Sequence, residues 1–336
     1  MWAEEEKGAP EDEIGRYLRD YEKRIDLDLV GARPSREQVE SVLQNTNDSC
    51  AGPDGIPFMC YRTDANEGGP VSLLLANVLD ALSSGTKGPK AFNKARLFLI
   101  AKTDSLLVQD TRPISVTDAS NRIVASCLAS ALTPALQAFI EPTQKGFVPG
   151  RVGTEHVHGL TQEFYASLSK NKQLYLLSLD TARAFDSISH TFIRKLLIHI
   201  GLPPWACHLV NGLLHEVTVV AAIAGAAATP ISINRGVKQG CPFSPLLFVL
   251  CYDVLLWRIA KMEGIKAFAY ADDLALTTSS SLTLCMGLGL IRKFSRVSGL
   301  GLNMKKTFIV TTRPMSTGAR EQLDAMGSSP PRTAPT

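Results

Sequence analysis

Between Ala267 and Thr278 the chain reads AFAYADDLALTT, two short apolar runs joined at a pair of adjacent carboxylates, Asp272 and Asp273. A hairpin joint of that length ordinarily carries Asn-Gly or Asp-Gly. Two like charges side by side between apolar strands repel each other and lose hydration, so a fold that buries them needs a compensating cation. Taken alone, the pair reads as a solvated surface turn. That reading weakens beside LYLLSLDTARAFD (residues 174–186), where a second apolar run ends abruptly in Asp180 and a turn later reaches Asp186. Strands that cross a core and deliver Asp at one end suit a divalent metal. Hard cations such as Mg²⁺ take a few carboxylate oxygens and complete their shell with water and phosphate. Two such ions about 4 Å apart activate an attacking hydroxyl and stabilise the leaving oxygen of a phosphoryl transfer. Asp180 and Asp272 form the expected core pair, and Asp273 joins them only if a turn bends the chain, because neighbours on a strand face opposite ways.

The rest of the composition permits this chemistry without demanding it. With 336 residues, 45% hydrophobic and 20% charged, the chain has enough apolar material for a sizeable core. Thirty-five Lys and Arg against 32 Asp and Glu leave a net charge of +3, so distribution matters more than the sum. Basic residues gather in 87–112 and 292–313, the places to look for phosphate contacts, whereas the first 28 residues are rich in Glu and Asp. Seven scattered cysteines with no C-x-x-C spacing argue against a disulfide framework or a zinc module and favour an intracellular, reducing setting. His156 and His158 stand two apart with no partner ligand near them in sequence. The acidic start MWAEEEKGAPEDE has no secretory signal character. Two apolar runs could pass for membrane spans. The run 217–233 is split by Gly225 and Pro230 and reads as a hairpin turning near Gly225, while 241–257 holds Pro242, Pro245 and Asp253 and reads as a buried helix starting near Ser244. No membrane partner is expected.

Along the chain, residues 1–48 read as a polar helical segment, with Ser35 capping PSREQVESVLQ. Helices are expected near 71–82, from a cap at Ser120, over 154–169, over 189–200, over 204–214 and from 281 to a glycine-rich stop, and strands at KARLFLIAK, TRPISV, QLYLLSLD and KTFIVTT. From Arg313 onward no apolar period is visible, and residues 313–336 are expected to be disordered. The mixture is α+β with antiparallel strand pairs, because several connections are too short for parallel crossovers.

Four blocks in order, SLDTARAFD, GVKQGCPFSPLLF, YADD and GLGLNMKKT, resemble motifs A to D of reverse transcriptases, most closely those of non-LTR (LINE-type) retrotransposons. AGPDGIP, LFLIAKTD with TRPISV, and QKGFVPGR resemble the same family's upstream finger motifs, so the resemblance covers residues 49–312. It implies the right-hand polymerase fold, fingers and palm with an antiparallel palm sheet and flanking helices; the family's thumb is expected to be absent or rudimentary in these residues. It also implies an RNA-directed DNA polymerase that uses two Mg²⁺ ions, or Mn²⁺, with an RNA template, a DNA primer and deoxynucleoside triphosphates as partners.

By position, Asp180 and Asp272 resemble the metal-binding aspartates, with Asp273 the third catalytic carboxylate and the Thr181 carbonyl a further metal ligand. Phe185 matches the ring under the incoming sugar, whose bulk leaves no room for a 2′-hydroxyl. Gln239 and Gly240 resemble the turn that contacts the nucleotide and the templating base pair. Lys102 and Arg112 match the finger residues on the triphosphate, and Arg151 a contact to template or primer. Lys306 aligns with the motif D lysine near the leaving pyrophosphate, with Lys305 as the other candidate, and Asp186 with an Asp that supports motif A. Motif B carries Phe243 where Leu is usual. The competing readings are a truncated or decayed element fragment that keeps the fold and binds RNA without catalysis, and a group II intron maturase, whose RNA-binding region is not seen in the sequence.

Overall fold

The computed structural model describes residues 9–102, 104, 107, 110–222, 229–303, 306–325 and 332–333. They form two compact units whose segments alternate along the chain. One is built from Lys23–Phe139 and Ile193–Leu247, the other from Gly8–Glu22, Ile140–Phe192 and Phe248–Thr336. Among the described residues the strands are β1 (Lys94–Ala101), β2 (Thr111–Thr117), β3 (Tyr175–Leu179), β4 (Val217–Ala221), β5 (Ile231–Ile233), β6 (Ile265–Tyr270), β7 (Asp273–Thr278), β8 (Phe308–Thr311) and β9 (Arg332–Thr333).

In the first unit the sheet order is β2-β1-β4-β5. β1 and β2 pair antiparallel as the sequence suggests, whereas β1 and β4 run parallel. The intervening chain includes several helices, which is ample for a crossover. β4 and β5 form the expected antiparallel pair, and the turn near Gly225 lies outside the described residues. Ala95, Leu97 and Val219 are buried in this sheet, and beyond Leu97 every residue of β1 is exposed. The helix Ala119–Phe139 is long and apolar enough to cross a membrane by length and composition, but it buries Ile123, Val124, Leu128, Leu132 and Leu136 within the protein. In place of the Ser120 cap expected from the sequence, this helix begins at Ala119, with the Asp118 carbonyl accepting the Arg122 amide at 3.2 Å. Asp118 is a capping type as well, and its carboxylate also accepts the Asp54 amide at 3.0 Å, which ties the AGPDGIP turn to the helix start.

In the second unit the sheet order is β6-β7-β3-β8-β9, antiparallel except for the β8–β9 pair. Leu177, Leu179, Leu274 and Leu276 are buried and paired across β3 and β7. The helix Ser281–Ser298 ends at Gly299, whose φ of 81° is the left-handed conformation that makes glycine the natural stop. The N-terminal residues do not stand together as one helical segment. The helix Glu11–Arg19 belongs to this second unit, whereas Arg36–Asn45 belongs to the first. What anchors the early helix is a buried pair: the Tyr21 hydroxyl donates to Asp253 at 2.5 Å, and the other carboxylate oxygen of Asp253 accepts the Glu141 amide at 2.6 Å. Burial and the nearby Asp253 charge both push the Tyr21 phenol upward.

The expectation of disorder beyond Arg313 needs correction. A helix forms over Thr317–Ala325, and β9 follows it. Ala319 and Leu323, four residues apart on one face, are buried, and the Ser316 hydroxyl accepts the Ala319 amide at 3.2 Å at the helix start. Two apolar side chains in a polar segment leave too short a period to read without the surface they pack on.

Because Asp253 is fully buried, losing a donor to it is costly. Tyr21→Phe is expected to lower stability by about 1–3 kcal/mol, seen in urea denaturation as a lower midpoint with an unchanged slope.

Candidate active site

The carboxylates of motifs A and C are brought together by strand register. β6 and β7 join through a two-residue turn, Ala271–Asp272, with Tyr270 paired to Asp273. β3 pairs with β7 through Leu179 and Leu274, so the next position in register sets Asp180 across from Asp273, on the face opposite the buried leucines. Asp273 is pushed above the usual carboxylate range, first by partial burial and then by the Asp180 charge, with Lys306 pulling the other way. The bend between β6 and β7 thus brings Asp273 across from Asp180, beside the Asp180 and Asp272 expected from the sequence as the core pair. Asp272 sits on the turn, its backbone carbonyl accepting the Thr181 hydroxyl at 3.4 Å.

Asp180 is held from several directions. Asn303 donates its side-chain amide to Asp180 Oδ2 at 2.6 Å, and its backbone N–H to the Asp180 carbonyl at 2.8 Å. Lys306 Nζ stands 4.0 Å from Asp180 Oδ1, while Lys305, the other motif D candidate, lies outside the described residues. Thr181 bridges antiparallel to Leu302, with the hydrogen bonds supplied by the flanking residues, so its carbonyl points away from residues 301–303. Tyr252, buried, hydrogen-bonds to the Thr181 side chain, and its phenol is pushed up by burial and by the charges of Asp272 and Asp273. Asp186 lies in the short helix Ala184–Ser187 immediately downstream.

Among the described residues no three or more His, Cys, Asp or Glu side chains are grouped to hold a metal. The donors at hand are fewer and harder: carboxylates at the ends of β3 and β7 and a backbone carbonyl. That set suits a cation that keeps water and phosphate oxygens in its shell. Burial is the larger cause of the upward push on Asp273 and the Asp180 charge adds to it, while Lys306, 4.0 Å from Asp180 Oδ1, acts against it.

Phe185 is half-buried, stacked on Phe248 with ring centroids 4.6 Å apart and planes at 16°, and met edge-on by Phe147 at 5.8 Å. The ladder continues through Tyr252 at 5.9 Å to Phe294 at 5.8 Å, so the ring rests on a packed aromatic column and has little room to yield.

Arg151 behaves differently from the nucleic-acid contact expected of it. Its guanidinium donates to the backbone carbonyls of Ile140, Glu141 and Gln144 at 2.5–2.9 Å, which makes it a clasp for the segment entering the QKG turn. An exposed basic residue and a backbone clasp look the same in sequence. His156 is likewise structural, its Nε2 lying 2.8 Å from the Thr143 carbonyl and its ring edge-on to Phe268.

In the first unit, Arg112 pairs with Ile100, and Lys102 follows two positions on, so the two exposed cations share one face of the β1–β2 hairpin. The Gln239 carbonyl accepts the Ser115 amide at 2.8 Å, and Gly240, at φ 112°, passes so close that a Cβ would meet the Ser115 carbonyl at 2.8 Å. Glycine is required there on both counts. Beneath this turn lies Lys238, a residue to which the sequence reading gave no role. Its Nζ is buried, donating to the side-chain oxygens of Asn93 at 3.0 Å and Asn121 at 3.4 Å. Burial pushes its pKa down to about 8.

Comparison with known proteins agrees with this architecture. The structure resembles telomerase from Candida tropicalis in complex with a fragment of telomeric RNA, with a TM-score of 0.52 and 15% identity, covering 76% of this chain and 46% of that one. Telomerase from Candida albicans gives a TM-score of 0.51 at 14% identity, covering 71% of this chain and 45% of that one. The fold is thus the polymerase right hand, and the sheet bearing the aspartates is its palm. Residues 100–328 match the family model described as reverse transcriptase (RNA-dependent DNA polymerase). The chain belongs to that reverse transcriptase family. Its relatives include the Pol polyproteins of retrotransposable elements R2 from Popillia japonica, 28% identical over 82% of this chain, and R2DM from Drosophila melanogaster, 31% identical over 78%. These are non-LTR elements, as the motifs suggest. The chain spans 39% and 25% of the length of those two relatives. Reverse transcriptases as a family generally use divalent metals.

Lys238 yields a pH test. In the unfolded chain its amine keeps its proton up to about 10.5, whereas the buried amine loses it near 8. Between those values the unfolded state holds more protons, so this group makes stability rise with pH. Lys238→Met should erase that increment, up to about 3 kcal/mol, read as the parent-minus-variant difference in urea unfolding at about pH 7 and about pH 10.

Proposed function

We propose that this chain is the polymerising core of a non-LTR retrotransposon reverse transcriptase, adding deoxynucleotides to a primer 3′-hydroxyl on an RNA template. The observation that carries the proposal is the register that sets Asp180 against Asp273 beside the Asp272 turn, concentrating negative charge at one sheet end. Asp180, Asp272 and the Thr181 carbonyl would hold two Mg²⁺ ions, or Mn²⁺. When bound, these favour the ionised primer hydroxyl and neutralise charge on the leaving pyrophosphate. The reaction forms the bond from primer O3′ to the α-phosphorus and breaks the bond from that phosphorus to the bridging oxygen of pyrophosphate.

The protein's own groups position and neutralise. Asn303 fixes the Asp180 carboxylate so that its second oxygen points toward Lys306. The Lys306 ammonium, 70% exposed, is the chain's candidate to give a proton to departing pyrophosphate. Lys102 and Arg112 carry charge suited to a triphosphate. Phe185, backed by Phe248, is the floor that a ribose 2′-hydroxyl would strike. Of the two competing readings, neither is better supported than the polymerase.

Primer extension on an RNA template tests the proposal. Deoxynucleotide incorporation should require Mg²⁺ and fall by about 10³-fold or more in Asp272→Ala. Absence of extension in the parent, with RNA binding retained, would favour the fragment that keeps the fold without catalysis. Phe185→Val should raise ribonucleotide incorporation relative to deoxynucleotide by about 10-fold or more, the scale of a lost steric contact in a packed site. Unchanged discrimination in this variant would remove Phe185 from the role of sugar gate.

A further inference from the structure

The Ala271–Asp272 turn opens on a residue that disfavours it. Ala271 has φ 55°, the left-handed region, which costs a non-glycine residue roughly 1–2 kcal/mol. Two-residue hairpins that need this conformation usually place Gly, Asn or Asp there. Ala271 is buried as well, so its backbone N–H and C=O need partners inside the protein.

One side chain supplies both. Gln144 is fully buried; its Oε1 accepts the Ala271 amide at 2.8 Å, and its Nε2 donates to the Ala271 carbonyl at 3.0 Å. The same Oε1 also accepts the Gly146 amide at 2.9 Å. A primary amide is the group that fits: it offers an acceptor and a donor on one rigid plane, as a neighbouring strand would. A carboxylate would set oxygen against the Ala271 carbonyl, and a thioether would leave both groups unpaired.

The support for Gln144 is built in. Residues 143–145 run beside β6, with a parallel bridge from Gln144 to Ala269, the Lys145 amide donating to the Ala269 carbonyl at 2.8 Å, and the Ala269 amide donating to the Thr143 carbonyl at 3.1 Å. Arg151 holds the Gln144 carbonyl at 2.9 Å. Gly146 must lack a side chain, because a Cβ there would overlap the Ala271 amide nitrogen.

We propose that Gln144 is a positioning residue for the catalytic carboxylates. By holding both polar groups of Ala271 it sets the left-handed turn, and the turn in turn aims Asp272 and starts β7 so that Asp273 faces Asp180. The proposal rests on the polymerase reading for its chemistry, although the clamp itself does not.

Gln144→Met keeps the length and burial and removes all three hydrogen bonds. Three readouts apply: hydrogen exchange at the Ala271 amide, Mn²⁺ binding by electron paramagnetic resonance without nucleotide, and steady-state primer extension. Exchange at Ala271 should accelerate, Mn²⁺ affinity should fall by about 10-fold or more, and kcat should fall by about 10–100-fold while the deoxynucleotide KM stays within about 2-fold. Gln144→Asn, which keeps the amide but falls one methylene short, should show the same pattern, and it is the variant to use if Gln144→Met does not fold. A folded variant with normal Mn²⁺ affinity and kcat overturns the positioning role, as does unchanged exchange at Ala271. A parent that binds Mn²⁺ through Asp272 yet extends no primer overturns the polymerase reading alone, and the affinity of Gln144→Met still decides the role of Gln144. A parent that does neither overturns both.

Discussion

Like charges held close at the end of a sheet are the constraint around which the second unit is arranged. Asp180 and Asp273 stand in register on adjacent strands, and partial burial together with the Asp180 charge raises the cost of ionising Asp273, with Asp272 on the turn between β6 and β7. A folded chain gains nothing locally from this arrangement, so it persists only because neighbouring groups over-determine it. Asn303 and Lys306 hold Asp180, Tyr252 reaches Thr181 from the interior, and Gln144 grips the turn. Leu177, Leu179, Leu274 and Leu276 supply the buried face that fixes the register, since a one-residue slip would send every one of them to the other side.

The first unit shows the same economy at a different group. Lys238 is buried beneath the Gln239–Gly240 turn, donating to the amide oxygens of Asn93 and Asn121, at a cost in desolvation that its lowered pKa reflects. Asn93 is the hub: it takes the Lys238 ammonium and the Asn121 amide on its oxygen, and gives its own amide to the carbonyls of Gly212 and His215. The turn that the family resemblance links to the nucleotide is therefore fastened to the helix Ala119–Phe139 and to the start of β1 by polar groups in the core. Such groups are satisfied together or not at all.

Much of the fold was legible because apolar periodicity and strand-ending carboxylates are local signals. The helices Thr154–Ser169 and Pro204–Leu214, and the β6–β7 hairpin, fall where their residues alone place them. The helix Thr317–Ala325 was not legible, since Ala319 and Leu323 make an apolar face only against a surface contributed from elsewhere in the chain. Arg151 reads as a basic residue in a motif, and its three carbonyl partners become visible only when residues 140–144 curl around it. Gln144 and Lys238 sit inside recognisable blocks, but a polar residue in a motif carries no mark of whether it will be buried.

The sequence by itself determined which residue types would meet: three aspartates at strand ends, an aromatic five residues after the first, a glycine where backbone passes backbone, and the family whose motifs share that order. Tertiary structure decided the partners. It set Asp180 against Asp273 in register beside the Asp272 turn, stacked Phe185 on Phe248, turned Arg151 toward the carbonyls of residues 140–144, and put the amide of Gln144 on both polar groups of Ala271. The physical reason is range. Strand and helix preferences act within a few residues, whereas register and the satisfaction of buried polar groups join segments from 7 to 127 residues apart and exist only once the chain has closed.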